Sequence, residues 1–165
     1  MYLAMFVVRG RISEIPEATM SETAPKRVLA IDYGRRRIGL ALSDERRVTA
    51  QPLATLVRTN RPNDLRRLRD LCRERGVAQV VVGYPLTLSG EAGQMAEEVA
   101  RFAARLEKEL GIPVELQDER LTSWEAGQLA LEMKPKRGPL DHLAAAIVLR
   151  DYLERQRGGA RATKD

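Results

Sequence analysis

Three acidic positions stand where predicted elements end or begin, and such positions can bring side chains together around a ligand. Asp32 ends an apolar run typical of a buried strand, and Asp118 and Glu119 end a shorter strand later in the chain. Asp141 stands near the start of the last predicted helix. A buried carboxylate is costly unless it is hydrogen-bonded or bound to a cation. Together these positions indicate a metal site, although acids also stabilise turns and the first turns of helices.

The residues available as ligands restrict which metal such a site would hold. The chain has one cysteine and one histidine, too few for a zinc site built on those residues. Carboxylate oxygens favour Mg²⁺ or Mn²⁺, and two such ions can hold the attacking water and the leaving oxygen when a phosphodiester is cleaved in line. Because strand side chains alternate in direction, we expect only one of Asp118 and Glu119 to reach the site beside Asp32.

Basic residues flank all three acidic positions. The chain carries 28 Lys and Arg against 23 Asp and Glu, and only five of the 28 are lysine. The guanidinium fork of arginine matches phosphate oxygens, so this excess favours nucleic acid as the partner, with a merely solvated surface as the alternative. The residues that we expect to hold the phosphate backbone are Arg35, Arg36, Arg37, Arg120, Lys134, Lys136 and Arg137.

The elements that must position these residues follow from apolar patterns and from proline and glycine. Pro62 and Pro139 open the first and the last helix, whereas Gly76 ends the first helix and Gly111 ends the second. The third strand contains a proline, which cannot donate to a strand ladder, so we expect this strand to be short or irregular. The pattern predicts strands over 28–31, 38–43, 48–56, 77–82 and 114–117, and helices over 62–75, 91–110, 122–133 and 139–156.

The order of these elements predicts an α/β domain built on a mixed sheet. Three early strands separated by tight turns favour antiparallel neighbours, and the later alternation of strands with helices favours parallel additions with helices on both faces. We expect a flexible extension over 1–26, one domain over 27–156 and a basic disordered tail over 157–165. No apolar run approaches the ~20 residues of a membrane helix, and one cysteine cannot form an intrachain disulfide, which predicts a cytoplasmic protein without a membrane partner.

Four segments give the chain a resemblance to a known family. The segments VLAIDYGRRRIGLALSD, VVVGYPLTLSGEAG, ELQDERLTSWEA and PLDHLAAAIVLRDYL stand in the order and spacing of the YqgF/RuvX family. The resemblance covers about residues 27–154. Members of the family are described as pre-16S rRNA nucleases or Holliday junction resolvases. The resemblance implies an RNase H-like fold and an acidic metal site made by Asp32, an acid of the DER segment and Asp141.

Two neighbouring residues of the DER segment could supply the second acid of that site. Resolvases of this fold carry an acid at the end of the fourth strand, where this sequence has Gly83, Tyr84 and Pro85. The second acid must then come from Asp118 or Glu119. We favour Glu119, because its longer side chain can reach a metal from the next strand.

The resemblance and the residues together lead to one leading hypothesis and two alternatives. The leading hypothesis is a metal-dependent nuclease that acts on structured RNA, notably at the 5′ end of precursor 16S rRNA. A Holliday junction resolvase, with branched DNA as its substrate, is the nearest alternative. Such an enzyme should be a tight two-fold dimer, whereas we expect a monomer or weak dimer here. The third reading is a non-catalytic RNA-binding factor of ribosome assembly, which would need the arginines but not the acids.

Overall fold

A six-stranded mixed sheet organises the part of the chain that the computed structural model describes, which is residues 26–85, 92–118 and 141–162. Its strands are β1 (Arg27–Tyr33), β2 (Arg37–Ser43), β3 (Ala50–Pro52), β4 (Leu56–Val57), β5 (Val77–Tyr84) and β6 (Val114–Asp118). The helices of the described residues are α1 (Arg61–Arg75), α2 (Gln94–Leu110) and α3 (Asp141–Ala162). No helix in the described ranges is both long enough and apolar enough to cross a membrane.

The strand order is β3-β2-β1-β5-β6, and β4 also pairs with β2. Strands β1, β2 and β3 are antiparallel neighbours, whereas β5 pairs in parallel with both β1 and β6. Parallel strands need a crossover connection, and α1 and α2 lie in the segments that join β4 to β5 and β5 to β6. The predicted mixed sheet, with early antiparallel strands and later parallel additions, is therefore confirmed.

The third strand predicted from the sequence is split in two. Its first part, β3, ends at Pro52 opposite Ala41, and its second part, β4, pairs with the start of β2. Between them the backbone N–H of Leu53 donates to the carbonyl of Leu40 over 2.8 Å. Proline has no N–H to continue the ladder, so the strand breaks there while the chain stays attached to β2.

The two faces of the sheet bury two separate apolar clusters. On β1, Leu29 and Ile31 belong to the cluster that α1 and α2 cover, whereas Val28 and Ala30 belong to the cluster that α3 covers. This alternation is the period of a strand buried on both faces, and it confirms helices on both sides of the sheet. The residues that α3 contributes to its cluster are Ala145, Val148, Leu149, Tyr152 and Leu153.

Polar residues and glycines set the ends of α1 and α2. The side chain of Asn60 accepts a hydrogen bond from the N–H of Asn63 at the start of α1, and Gly76 closes the helix in the left-handed conformation with φ of 63°. The helix predicted from residue 91 starts instead at Gln94, because the backbone of Gly93 is extended with ψ of −179°. Gly111 ends α2 as predicted, again with a positive φ.

The last helix differs from its predicted boundary. The sequence predicts the end of this helix at residue 156, whereas α3 continues to Ala162 and so includes 157–162 of the predicted tail. Before residue 156, ion pairs one helical turn apart add to the core contacts of the helix, and they join Arg150 to Glu154 over 3.1 Å and Arg155 to Asp151 over 3.0 Å. Residues 1–25, the predicted helix over 122–133 and residues 163–165 lie outside the described residues.

Candidate active site at the sheet edge

Asp32 lies near the carboxyl end of β1, on the face of the sheet that α3 covers. Its side chain is half-buried, and strand alternation puts it on the same face as Val28 and Ala30. On β2 its pairing partner is Gly39. On β5, Ile31 pairs with Val82, so the position next to Asp32 is Gly83.

Glycine on both neighbouring strands leaves the flanks of Asp32 without side chains. A glycine inside a strand lacks packing and often marks a place where a ligand approaches closely. From the sequence alone, Gly83 is only one of the residues that stand where resolvases of this fold carry an acid. Its role as a flank of Asp32 depends on the pairing register of β1 with β5, which a single sequence does not contain. The register therefore identifies both strand neighbours of Asp32 as glycines, and both glycines are buried.

The register of β6 separates Asp118 from Asp32. Asp118 pairs with Tyr84, which packs against the cluster on the α1 and α2 side of the sheet. Gln117 lies on the opposite side, where it is buried and donates from Nε2 to Oδ2 of Asp151 in α3 over 2.7 Å. Asp32 therefore shares its face with Gln117 and not with Asp118.

Of the other two predicted acids, the structure describes only the backbone position of Asp141. Asp141 is the first residue of α3, the helix that packs on the face of Asp32, but the orientation of its side chain lies outside what is described. Glu119 also lies outside the described residues. Within the described ranges no group of three or more acids, histidines or cysteines could hold a metal ion. The joint site of Asp32, Glu119 and Asp141 therefore stays a prediction.

The turn that follows Asp32 depends on a glycine. The N–H of Gly34 donates to the carbonyl of Arg37 over 2.9 Å, which closes the turn between β1 and β2. A Cβ atom at position 34 would stand 2.5 Å from that same carbonyl oxygen. No side chain fits at this distance, so the tight turn beside the acid needs glycine.

Arg58 holds this turn in place from outside the predicted motifs. Its Nη1 donates to the carbonyl of Gly34 over 3.0 Å, and its guanidinium lies 4.7 Å from the ring centre of Tyr33. Its Nε donates to the buried carboxylate of Asp64 over 3.2 Å. Sequence reasoning missed this residue, because Asp64 stands in the first turn of α1, where an acid is already expected for the helix dipole.

Removing the Arg58 side chain should destabilise the protein. The variant Arg58→Leu leaves the carboxylate of Asp64, whose side chain is 2% exposed, without its cation. We expect the free energy of unfolding to fall by about 3 kcal/mol, which is the usual cost of breaking a buried pair from one side. Urea denaturation measures it. The control is Arg69→Leu, which breaks the more exposed pair with Glu109 and should cost less than about 1 kcal/mol. Equal losses in the two variants would contradict this role for Arg58.

The predicted phosphate-binding arginines do not all have the same surroundings. Arg35 is held by Glu98 of α2, with Nη2 2.9 Å from Oε1 and Nε 3.5 Å from Oε2. The hydrogen bond from Arg35 lowers the pKa of Glu98 below its usual value. Arg36 and Arg37 are exposed, and alternation puts Arg37 on the face of Gly39 and Asp32. Arg120, Lys134, Lys136 and Arg137 lie outside the described residues.

Cys72 takes no part in this site. It packs in the cluster between the sheet, α1 and α2, as its apolar helix face predicts. Burial raises the pKa of its thiol to about 12, so the sulfur stays protonated at neutral pH. A protonated thiol is neither a nucleophile nor a metal ligand.

Sequence comparison finds nuclease relatives across nearly the whole described domain. Residues 26–155 match a family described as "RuvX: Holliday junction resolvase". A protein named "Putative pre-16S rRNA nuclease" from Syntrophus aciditrophicus is 45% identical over 132 residues, which are 78% of this chain and 88% of the relative. The protein of the same name from Koribacter versatilis is 46% identical over 134 residues, 79% of this chain and 88% of the relative.

Structural comparison finds the same fold in distant proteins. Thermus thermophilus RuvC in complex with a Holliday junction substrate aligns with a TM-score of 0.55 at 16% identity, over 80% of this chain and 96% of that protein. A second structure of RuvC from the same organism aligns with a TM-score of 0.54 at 15% identity and with the same coverage. The predicted RNase H-like fold is thereby confirmed.

Proposed function

Because the chain belongs to the RuvX Holliday junction resolvase family, we propose that it is a metal-dependent nuclease that hydrolyses phosphodiester bonds in structured RNA. The observation that carries this proposal is Asp32, a carboxylate near the end of a buried strand with glycine on both neighbouring strands. The name shared by the relatives at 45% and 46% identity favours the 5′ end of precursor 16S rRNA as the substrate. We place this activity in the cytoplasm.

The carboxylates of Asp32, Glu119 and Asp141 are the groups that would hold the metal. Oxygen donors of this kind suit Mg²⁺ or Mn²⁺. The register supports this set, because Gln117 lies on the face of Asp32 and the strand period of two would give the same face to position 119. The helix that begins at Asp141 packs on that face. Two ions bound there would supply an activated water and stabilise the charge on the leaving oxygen.

The residues around Asp32 orient the nucleic acid. Gly39 and Gly83, the strand neighbours of Asp32, carry no side chain that would block a backbone phosphate from the carboxylate. Arg58 fixes the turn that carries Arg36 and Arg37 through its bond to Gly34. Those two arginines offer phosphate contacts beside the acid, and contacts of this kind fix the position of the strand without reading bases.

The experiment that tests the proposal compares substrates under one set of conditions. Purified protein with Mg²⁺ or Mn²⁺ is incubated with a 5′-extended precursor 16S RNA fragment, a matched duplex DNA and a four-way DNA junction. We expect cleavage of the RNA fragment and its loss in EDTA. Cleavage that persists in EDTA would overturn the metal-dependent reaction, and absence of any cleavage would favour a non-catalytic RNA-binding factor.

A second candidate function is resolution of Holliday junctions. It is favoured by the description of the matching family and by the fold shared with RuvC. A resolvase cuts two symmetric strands and therefore needs two sites related by a two-fold axis. Sedimentation of this protein with and without a four-way junction separates the candidates. A tight dimer with paired symmetric cuts would favour the resolvase, whereas a monomer or weak dimer that cuts the RNA favours the leading proposal.

The salt dependence of binding tests the arginines of the turn. Replacing Arg36 and Arg37 with alanine should flatten the plot of log affinity against log salt by up to about two units, about one for each phosphate contact. Affinity should fall about equally for RNAs of different sequence, since phosphates carry no base information. Arg35→Ala should change the slope less, because Glu98 already holds that guanidinium. An unchanged slope in the double variant would show that the turn does not touch the nucleic acid.

A further inference from the structure

Positive charge is concentrated on one side of the candidate site. The segments 34–37 and 57–67 together contain seven arginines and a single acidic residue, Asp64. They are neighbours in the fold, because Arg37 pairs with Val57 and the N–H of Arg58 donates to the carbonyl of Arg36 over 3.0 Å. The arginines of the two segments therefore share one region of the surface, next to the turn that follows Asp32.

The arginines of this surface differ in whether a carboxylate neutralises them. Arg35 pairs with Glu98, and Arg58 pairs with Asp64. Arg36, Arg61, Arg66 and Arg67 are exposed and have no ion pair with any of the described residues. Many arginines elsewhere do have such a pair, as Arg69 has with Glu109 at 2.7 Å. The surface thus carries guanidinium charge that no carboxylate of the described ranges neutralises.

Three of these arginines lie on the N-terminal half of α1, the helix that follows β4. Arg61 is the first residue of the helix, Arg66 donates to Asn63 over 2.9 Å, and Arg67 donates to the carbonyl of Val57 over 2.9 Å. At 1.5 Å per residue, the distance from Arg61 to Arg67 along the helix axis is about 9 Å. We call Arg61, Arg66 and Arg67 the α1 arginine surface.

We propose that the α1 arginine surface binds the phosphate backbone of a double-stranded stem that flanks the cleavage site. This inference rests on the nuclease function proposed above and adds the form of the substrate to it. The surface sits on a helix, and hydrogen bonds to Asn63 and Val57 hold Arg66 and Arg67, so their charges keep fixed places as a regular duplex backbone requires. The four arginines that no described carboxylate neutralises would lead the stem from the turn at Arg36 across β4 onto α1.

The aromatic residue of this region favours a duplex over a single strand. Proteins that bind single strands stack the bases on exposed rings. Tyr33 contacts Arg58 of this region, and its ring is covered by that guanidinium at 4.7 Å and by Phe102, whose ring centre is also 4.7 Å away. The segments 34–37 and 57–67 themselves contain no aromatic residue, and phosphate contacts without a ring of their own suit a nucleic acid whose bases are already stacked on one another.

Binding of a blunt RNA duplex in EDTA, compared with binding of its single strand, tests the inference. The triple variant Arg61→Gln, Arg66→Gln, Arg67→Gln should bind the duplex at least about tenfold more weakly at 0.1 M salt and flatten the salt slope by up to about three units. The control removes the same charge elsewhere, from exposed arginines that also lack an ion pair with described residues: Arg46→Gln, Arg73→Gln, Arg105→Gln. We expect the control to reduce duplex binding less than threefold.

Each outcome separates this inference from the nuclease proposal. Equal losses of duplex affinity in the triple variant and its control would overturn the inference, and so would a loss of affinity for the single strand alone. The nuclease proposal would still hold in either case if the wild type cleaves RNA. A wild type that cleaves no RNA would overturn the nuclease proposal itself. If the triple variant has a lower melting temperature than the wild type, the double variant Arg61→Gln, Arg66→Gln is used instead, because it keeps the hydrogen bond from Arg67 to the carbonyl of Val57. This double variant should still bind the duplex about fivefold more weakly than the wild type.

Discussion

Replacing Asp32 with asparagine should abolish cleavage while the protein still folds. Asparagine keeps the shape of this half-buried side chain but removes the charge that would hold a divalent cation. We expect cleavage of the precursor RNA fragment to fall at least about a thousandfold, or about 4 kcal/mol in activation free energy. Steady-state cleavage with Mg²⁺ or Mn²⁺ measures the loss, and circular dichroism checks the fold.

A second aspartate that follows a strand provides the control. Asp44 comes directly after β2, where it accepts hydrogen bonds from the N–H groups of Val48 and Thr49 over 2.7 and 2.9 Å. The variant Asp44→Asn should cleave the fragment at the wild-type rate, because Asp44 pairs with the turn at the other end of the sheet. Mn²⁺ should raise the melting temperature of the wild type and of Asp44→Asn but not that of Asp32→Asn, since a ligand stabilises only the folded state that binds it. Full cleavage by Asp32→Asn would overturn the metal site.

The second large effect concerns the two neighbouring acids at the end of β6. We expect Glu119→Gln to lose cleavage as fully as Asp32→Asn does, and Asp118→Asn to keep it. The physical reason is the register, which pairs Asp118 with Tyr84 on the face away from Asp32 and places Gln117 on the face of Asp32. Asp118→Asn should instead lower the melting temperature by a few degrees.

Paired cleavage and melting assays on the two variants decide this point. The side chains differ by one methylene, and each substitution replaces a carboxylate with the amide of the same length, so the comparison is matched. If Asp118→Asn lost cleavage and Glu119→Gln kept it, the assignment of faces at the end of β6 would be wrong. Such a result would leave the nuclease proposal intact, because either residue supplies a carboxylate.

The sequence predicted the features of the fold that depend on local chemistry. Pro62 and Gly76 set the ends of α1, and Pro52 breaks the third strand, each for a reason that acts within a few residues. The pairing of Arg58 with Asp64 could not be predicted, because an acid in the first turn of a helix already has a sufficient local reason. The partnership of Arg35 with Glu98 joins residues 63 positions apart and depends on how α2 packs.

In the candidate site, too, the features with a local cause could be predicted and those that depend on long-range pairing could not. Asp32 stood out because a carboxylate at the end of an apolar run is costly. The positions of Gly39 and Gly83 beside it could not be predicted, because they depend on the pairing register. Gly39 lies on the antiparallel neighbour β2, and Gly83 lies on the parallel neighbour β5. The choice of Glu119 over Asp118 depends on side-chain length, and the register adds only that Asp118 lies on the face away from Asp32.

The order in which the chain is synthesised has a consequence for when this enzyme can act. The cluster under α3 is built from residues of β1, β2 and β5, so one face of the sheet stays bare until α3 has been made. The proposed ligand set draws on β1, on the segment after β6 and on the first residue of α3. A chain still being translated therefore lacks the proposed acid Glu119 until translation has passed β6, and it lacks Asp141 until translation has reached α3. On the proposed function, a nascent nuclease would remain inactive next to the RNA of the ribosome that is producing it, and activity would begin only when the final helix closes the sheet.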